Sequence, residues 1–571
     1  MKVHAISEAP DSISAAEAYL RALFARGIGC MFINAGTDFA SIVEAYARTG
    51  GSGLPVSIIV PHENTAAAMA HGYFAASGQM AAVMVHVGVG TANTTNGIFN
   101  AARQNVPILF TAGRNPIHES GPLGARNNII HWAQEMFDQG GMVRELVKWD
   151  YELRSPEQIG PVVDRAMAIA LSEPQGPVYL SLPREVLAAP AMEAVPENAK
   201  FSAYARPSPN ADAIEKATKL LSQASRPLII TSASGANLHS VAALGRLAEA
   251  LGAPVVQHRP THMCLSARHP CHAGFDPHPL LAEADAILVL DCDVPWIPAR
   301  ATPSDDCKVV QIGPDPLFSN YPIRSFPAEI AIAGDTLEAM DMLAHRVEAR
   351  SPETSDKRRA WLEEAISMDR ARCSNAKAKD EARDVITPEY ASACIGEIID
   401  QDTVLVNEYS LVLEHCPMTE PGSYFSHSSA GGLGWGLGAA LGIKLADRTK
   451  RVLCVVGDGA YMFGNPTPAH FVARAYELPT LTIVFNNKMW GAVQRATLSM
   501  YPNGAASQTE SPPLSCLEPS PNYEKIVEAS DGYGERVTRR TDLPGALARA
   551  LAALAEGKQA LLNIETSRPG G

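Results

Sequence analysis

The 571-residue chain contains no run of 18 apolar residues, so it offers no candidate for a membrane-spanning helix. Its opening, MKVHAISEAPDSIS, lacks the apolar core of a secretory signal, and a cytoplasmic protein is expected. Ten cysteines occur without one CxxC pair, which is unlike a zinc ribbon or a disulfide framework. Reduced thiols, mostly buried as small apolar residues, are expected instead. Positive charge is in deficit: 47 Lys plus Arg stand against 61 Asp plus Glu, a formal charge of −14. That balance argues against nucleic acid or an anionic membrane as partner, while leaving room for a local cationic pocket. There is no low-complexity segment and no short-period repeat.

What is present is a large apolar fraction, 46%, enough for several buried cores. At roughly 100–200 residues per domain, the length suggests about three to five domains. Short apolar runs that end in Gly or Pro alternate with helix-length segments: CMFINAG, VSIIV, AAVMVHVG, VPILFTAG and PVYLSLP come first. RPLIITSAS, APVVQH, AILVLDCD and KVVQIGPD follow, then DTVLVNE, KRVLCVVGDG, LPTLTIVFNN and QALLNIET. This alternation predicts an α/β protein of three domains, each a mostly parallel sheet flanked by helices. The domains are placed at 11–190, 205–345 and 385–571. A Pro- and Ala-rich linker is read around 190–210, and the polar tract 350–384 is read as a solvated, partly helical connector.

The most specific chemistry lies in VLCVVGDGAYMFGNPTPAHFVARAYELPTLTIVFNNKMWGAV. An apolar strand runs into Gly457-Asp458-Gly459, a helical segment follows, and a second strand ends in Asn486-Asn487. The 26 intervening residues, 460 to 485, allow both strand ends to meet at one edge of a parallel sheet, where open α/β sheets bind ligands. Glycines let the backbone approach a diphosphate closely. Asp458 and the Asn487 side-chain carbonyl are hard oxygen ligands suited to Mg²⁺ held against phosphates.

This pattern resembles the thiamine diphosphate (ThDP) enzymes of the pyruvate decarboxylase and acetolactate synthase superfamily. The resemblance implies three α/β domains (pyrimidine-binding, central and diphosphate-binding), matching the three blocks over nearly the whole chain. It also implies Asp458, Asn487 and the main-chain carbonyl of Met489 as Mg²⁺ ligands, with Gly457, Gly459 and Ala460 lining the diphosphate. A carboxylate for the cofactor's aminopyrimidine should follow a strand and open a helix in the first block. SIIV-Pro61-His62-Glu63-Asn64 fits, making Glu63 the candidate, both cofactor-binding and catalytic through proton movement on that ring. The family's diphosphate-contacting hydroxyl falls at Ser410. The run from Tyr424 to Gly438 is similar to its glycine-rich turn, where Gly432 contacts the cofactor and Leu433 takes the place of the apolar wedge between the cofactor rings.

Among the branches, the chain looks most like benzoylformate decarboxylase, through PGSYFSHSSAGGLGWGLGAALG, RHPCHAGF, QGPVYLSLP and the loops at 34–38 and 85–93. The resemblance places a hydroxyl at Thr37, where that branch carries serine, and an imidazole at His86, both as groups handling protons, with His427 a further candidate. The departures are informative. No histidine stands near Pro298, where that branch has its second active-site histidine. Val493 and Ala496 replace two bulky pocket residues, and an additional loop, 501–525, follows directly. His62 is instead similar to the acetolactate synthase and acyl-CoA lyase branches.

Other signals are set aside. His258 and His262 with Cys264 and Cys271 invite a metal reading, but Pro260 interrupts any helix that would align the histidines. TSASGAN at 231–237 lacks the GxGxxG spacing of a nucleotide turn. Some relatives bind FAD or ADP in the central domain, and no residue here commits to either. Glu408 and Asp38 are expected to satisfy backbone groups or neighbouring charges.

The resulting expectation is a ThDP- and Mg²⁺-dependent 2-oxo acid decarboxylase working through an enamine intermediate. Its partners would be a small-molecule 2-oxo acid or related carbonyl substrate and further copies of itself, as a homodimer or homotetramer. The alternatives are a ThDP-dependent carboligase or lyase of the acetolactate synthase or 2-hydroxyacyl-CoA lyase type, and a non-catalytic cofactor-binding relic. Intact Glu63, Asp458 and Asn487 argue against the relic.

Overall fold

Three parallel sheets account for the apolar runs. A computed structural model describes residues 13–191, 202–350, 355–381, 383–409, 411–509 and 512–568. The first sheet comprises β1 (Cys30–Asn34), β2 (Val56–Ile59), β3 (Ala81–Val85), β4 (Ile108–Arg114), β5 (Asp150–Glu152) and β6 (Val178–Pro183). Its order is β2-β1-β3-β4-β6-β5, and every pairing is parallel. The central sheet holds β7 (Pro227–Thr231), β8 (Val255–Gln257), β9 (Ala286–Leu290), β10 (Lys308–Gly313) and β11 (Ile330–Ala333), ordered β11-β10-β9-β7-β8. The third holds β12 (Thr403–Glu408), β13 (Tyr424–Ser426), β14 (Arg451–Gly457), β15 (Leu481–Asn486), β16 (Tyr533–Val537) and β17 (Ala560–Glu565), ordered β13-β12-β14-β15-β17-β16. Inner strands such as β3, β6, β9 and β15 are buried along their whole length, as sheets with helices on both faces require.

The chain forms two compact units. One comprises residues up to Ala205 together with 428–448 and 462–478; the other comprises 206–427, 449–461 and the chain from Pro479 onward. In the first unit the helix Glu63–Ser77 lies directly on the helix Trp435–Ala446. Their glycines make that approach: a Cβ at Gly72 would stand 2.1 Å from the Ala439 carbonyl oxygen, and one at Gly442 2.0 Å from that of Met69. The glycine repeat at 436–442 is therefore a helix-packing surface.

In the second unit the polar tract is more than a solvated connector. Residues Asp356–Glu381 form one helix, anchored at its start by two buried side chains. Arg358 donates to the carbonyls of Leu221, Ala224 and Leu251, which close two helices, and the Trp361 indole donates to Pro227. A cation on the last carbonyls of a helix is favourable electrostatically, which explains a buried arginine here. Among the described residues no helix is long and apolar enough to cross a membrane.

Candidate functional site

In the first unit three adjacent strands deliver the candidate residues to one edge. β2, β1 and β3 are neighbours in that order, all parallel. Beyond their carboxyl ends come Glu63, Thr37-Asp38 and His86 respectively. Residues far apart in sequence are thus gathered at the end of the sheet where parallel α/β folds place ligands.

Glu63 is half-buried and opens the helix Glu63–Ser77. Its Oε2 accepts a hydrogen bond of 2.5 Å from Asn93 Nδ2. His62, the preceding N-cap residue, contacts Thr65 Oγ1 through Nδ1 at 3.1 Å; burial lowers its pKa, opposed by the Glu63 charge. Thr37 is exposed at the start of the short helix Thr37–Phe39.

His86 caps the helix Val87–Arg103, and its Nδ1 lies 2.5 Å from Oδ1 of Asp38, a residue only 3% exposed. A carboxylate only accepts, so Nδ1 carries the proton. Asp38 Oδ2 also accepts from the Val87 amide at 3.4 Å, and Val87 itself sits at φ 29°, a backbone state that valine rarely adopts. The Asp38 hydrogen bond is the main reason the His86 pKa is raised; burial opposes it, and the charges of Asp38 and Glu63 add to it. Two glycines make room for the pair. A Cβ at Gly36 would lie 2.2 Å from His86 Nδ1, and one at Gly113 1.7 Å from Asp38 Oδ2.

Three asparagines on the His86 helix extend the same face. Asn93 holds Glu63, Asn96 donates to the Leu433 carbonyl at 3.0 Å, and Asn100 brackets Gly432. Asn100 donates to the Gly432 carbonyl at 2.8 Å and accepts from the Gly432 amide at 3.0 Å. The structure therefore commits the Gly432 peptide to a side-chain clamp and leaves Leu433 half-buried beside it. Asn93, Asn96 and Asn100 were not singled out from sequence, although Asn93 stands seven residues and Asn100 fourteen residues from His86, two and four helical turns.

In the second unit β14 and β15 are neighbours, with Gly457 opposite Phe485, so the two loops of the GDG–NN pattern emerge side by side. Asp458 is 2% exposed. Its Oδ1 accepts from the Gly459 amide at 3.0 Å, and its Oδ2 is buried without a hydrogen-bond partner. Burial raises its pKa to about 6, against the pull of the amides of Gly459, Lys488 and Met489. Gly459 is required by its neighbour: a Cβ there would meet the Trp490 ring at 2.5 Å. Ala460 is buried behind it, and Gly457 is half-buried.

The two asparagines divide their work. Asn486 is structural, donating to Asn563 Oδ1 and Ser520 Oγ. Asn487 is half-buried, and its Oδ1 accepts from the Met489 amide at 3.0 Å. The loop that follows folds back on this segment. Met489 pairs with Cys516 in an antiparallel bridge, and Trp490 donates to the Ser515 carbonyl at 2.7 Å. Residues 515–517 therefore lie against residues 488–490, just past the carboxyl end of β15.

A buried carboxylate oxygen with no hydrogen-bond partner, at the end of the strand next to the one that leads into Asn487 and Met489, is oxygen chemistry that fits Mg²⁺. A divalent cation would offset the burial that now disfavours ionised Asp458. Ser410 lies outside the described residues. In the histidine–cysteine stretch the two rings take different partners. His258 Nδ1 turns to the Phe275 carbonyl and His262 Nδ1 to Thr261 Oγ1, and no cluster of three or more metal-binding side chains occurs among the described residues.

Comparison with known proteins supplies the family. The descriptions "Thiamine pyrophosphate enzyme, N-terminal TPP binding domain", "central domain" and "C-terminal TPP binding domain" match residues 13–142, 214–343 and 408–564. Benzoylformate decarboxylase of Pseudomonas aeruginosa is 28% identical over 517 residues, covering 86% of this chain and 89% of that protein. Acetolactate synthase isozyme 3 large subunit of Escherichia coli is 24% identical over 559 residues, covering 95% and 92%. Sulfoacetaldehyde acetyltransferase of Rhodobacter capsulatus is 26% identical over 590 residues, covering 97% and 95%. The solved thiamine diphosphate-dependent 4-hydroxybenzoylformate decarboxylase of Rhodococcus jostii RHA1 shares the fold, with a TM-score of 0.77 at 23% identity over 98% of this chain and 100% of that one. With all three domains matched in order, the chain belongs to the thiamine pyrophosphate enzyme family, the thiamine diphosphate-dependent lyases and transferases of the decarboxylase and acetolactate synthase kind.

Proposed function

We propose that this enzyme decarboxylates a 2-oxo acid and releases an aldehyde, using Mg²⁺ to hold its cofactor. Bound thiamine diphosphate supplies a nucleophilic carbon and an electron sink for breaking a bond next to a carbonyl. Asp458, the Asn487 side-chain oxygen and the Met489 carbonyl would hold Mg²⁺, and the backbone from Gly457 to Ala460 would line the diphosphate. Glu63 would hold the aminopyrimidine ring through its carboxyl group, with Asn93 fixing the other oxygen. Gly432 and Leu433, clamped by Asn100 and Asn96, would shape the pocket around the rings. A second copy of the chain would complete the site, in a homodimer or homotetramer.

The observation that carries decarboxylation with aldehyde release is the Asp38–His86 pair. Asp38 keeps a proton on Nδ1 and favours the imidazolium, so His86 holds a transferable proton at Nε2 on the edge that also carries Glu63. Thr37, exposed beside Asp38, offers a hydroxyl to the same space. An imidazolium here provides the proton that a released aldehyde needs.

The test is to follow CO₂ and aldehyde from aliphatic, branched and aromatic 2-oxo acids with protein, thiamine diphosphate and Mg²⁺. Equal amounts of both are expected. CO₂ without matching aldehyde would replace this reading by carboligation of the acetolactate synthase type. Absence of CO₂ from every acid would overturn it in favour of acyl-CoA or hydroxyketone substrates.

A further inference from the structure

The central part of the chain reaches into the third sheet. Residues 258–262 leave β8 and run antiparallel beside β13: His262 bridges Phe425, and the Ser426 amide donates to the Thr261 carbonyl at 2.9 Å. That register carries Pro260 opposite His427 and sets Arg259 at the carboxyl end of β13. β12, the adjacent strand, ends at Glu408, and the ring centroid of the next residue, Tyr409, lies 4.0 Å from that of His427.

Two strained residues frame this corner. Arg259 has φ 45° and Tyr409 φ 77°, both in the left-handed region that non-glycine residues seldom occupy, and both are exposed. Among the described residues no carboxylate pairs with the Arg259 guanidinium. Glu408, the nearby acid, is 1% exposed and has partners of its own. The neighbouring His427 ring adds no second positive charge: burial, opposed by a hydrogen bond to the Asn407 backbone and aided by the Arg259 charge, lowers its pKa to about 4.

The position separates this cation from the candidate metal cradle. β13 and β15 are three strands apart in the sheet, about 14 Å at the usual strand spacing. Arg259 thus stands at the carboxyl end of the same parallel sheet that presents Asp458 and Asn487, the end where such sheets take ligands, offset from Asn487 across the sheet. A cation gripping the carboxylate that leaves as CO₂ would stabilise the ground state more than the transition state, because that charge flows away during the reaction. A cation serves recognition best on a group that keeps its charge throughout.

We propose that Arg259, presented with Tyr409 and His427 at the ends of β12 and β13, is a specificity-determining residue that selects 2-oxo acids carrying a second anionic group, a carboxylate or sulfonate on the side chain. The inference rests on the 2-oxo acid reading above. The experiment uses the full chain with thiamine diphosphate and Mg²⁺ and matched acids, 2-oxoglutarate against 2-oxopentanoate and 4-carboxybenzoylformate against benzoylformate. Alongside, calorimetry follows binding of the unreactive pair glutarate and pentanoate. Arg259→Asn removes the charge with a residue that tolerates the left-handed backbone, and Arg259→Lys keeps it.

The wild type is expected to favour the dianionic member of each pair. Arg259→Asn should lower the ratio of kcat/KM values, dianion over monoanion, by about tenfold or more through KM, and weaken glutarate binding comparably; Arg259→Lys should restore part of both. A wild type that favours the monoanions, or a ratio and glutarate affinity unmoved by Arg259→Asn, overturns the proposal. If no acid is turned over but glutarate binds in an Arg259-dependent way, the decarboxylase reading fails while the anion site stands.

Discussion

Nδ1 of His86 and Oδ1 of Asp38 lie 2.5 Å apart, the imidazole side chain 18% exposed and the carboxylate sealed beneath it. On the proposed function the pair makes Asp38 a positioning residue: it fixes the tautomer and raises the pKa of the imidazole proposed to handle the proton. Asp38→Asn should lower kcat by about a hundredfold, the lower scale for losing positioned proton transfer. It should also move the alkaline limb of the kcat–pH profile toward lower pH, since His86 would then lose its proton earlier. The stability sign follows from the same shift. A histidine whose pKa is raised on folding contributes its full stabilisation below the unfolded value near 6.5, and loses it as pH rises through the folded value. The Tm gap between wild type and Asp38→Asn should therefore narrow as pH increases. A profile and a gap that do not move would remove Asp38 from this role.

Glu63 presents a different balance. Its Oε2 is held by Asn93, which fixes the carboxyl without neutralising it. Glu63→Gln should leave thiamine diphosphate binding within a few-fold while turnover falls by at least about a hundredfold. Asn93→Ala should cost less in turnover, because Glu63 remains but is no longer oriented. Near-normal turnover in Glu63→Gln would exclude Glu63 from the proton chemistry, and lost cofactor binding would make it a binding residue alone.

How much of this was legible in the sequence depends on burial. The inner strands announce themselves as continuous apolar runs because both faces are covered. β5, β11, β13 and β16, which were not named as strands, are all sheet edges; β5 and β16 are partly exposed with mixed composition, and β11, though apolar, is only four residues long and mostly not buried. The placements of Glu63, Asp458 and Asn487 were legible because Asp458 and Asn487 directly follow strands and Glu63 opens the helix four residues past the end of β2. Asp38 was read as a neighbour-satisfying acid; its pairing with His86 depends on β1 and β3 lying side by side, a non-local fact. Arg259 is further from sequence reading still, since its setting depends on Thr261 meeting Ser426, 165 residues later. Histidine spacing drew attention to 258 and 262, but the rings turn to different partners.

Gly113 offers a test of the Asp38–His86 pair that touches neither residue. It lies in β4, and an added Cβ would stand 1.7 Å from Asp38 Oδ2, closer than any contact permits. Gly113→Ala should push the carboxylate off the imidazole and reproduce the altered pH profile of Asp38→Asn. Overpacking should add a stability loss of about 1–3 kcal/mol. In combination with Asp38→Ala, which vacates the space, the stability loss from Gly113→Ala should shrink, whereas two independent sites would give additive losses. Additivity in that double-mutant cycle would show that the clash is relieved elsewhere.

Asp458 moves stability with pH in the same direction as His86, downward as pH rises, but for a different reason: burial disfavours its charged form. Its carboxyl is raised by burial from 3.8 to about 6, so the folded chain without metal binds its proton more tightly than the unfolded chain does. Between pH 4 and 6 the folded state holds more protons, and stability must fall as pH rises through that window and stay lower above it. The loss is on the order of 1–3 kcal/mol. In EDTA, Asp458→Asn should therefore melt at a higher temperature than wild type at pH 7.5, and the two should converge near pH 4. Adding thiamine diphosphate with Mg²⁺ should reverse the ranking, because ionised Asp458 is then a ligand and the stabilisation grows with ligand concentration. A variant that stays less stable than wild type in EDTA would place the origin of the Asp458 shift elsewhere. Equal stabilisation of both proteins by thiamine diphosphate with Mg²⁺ would sink the metal assignment.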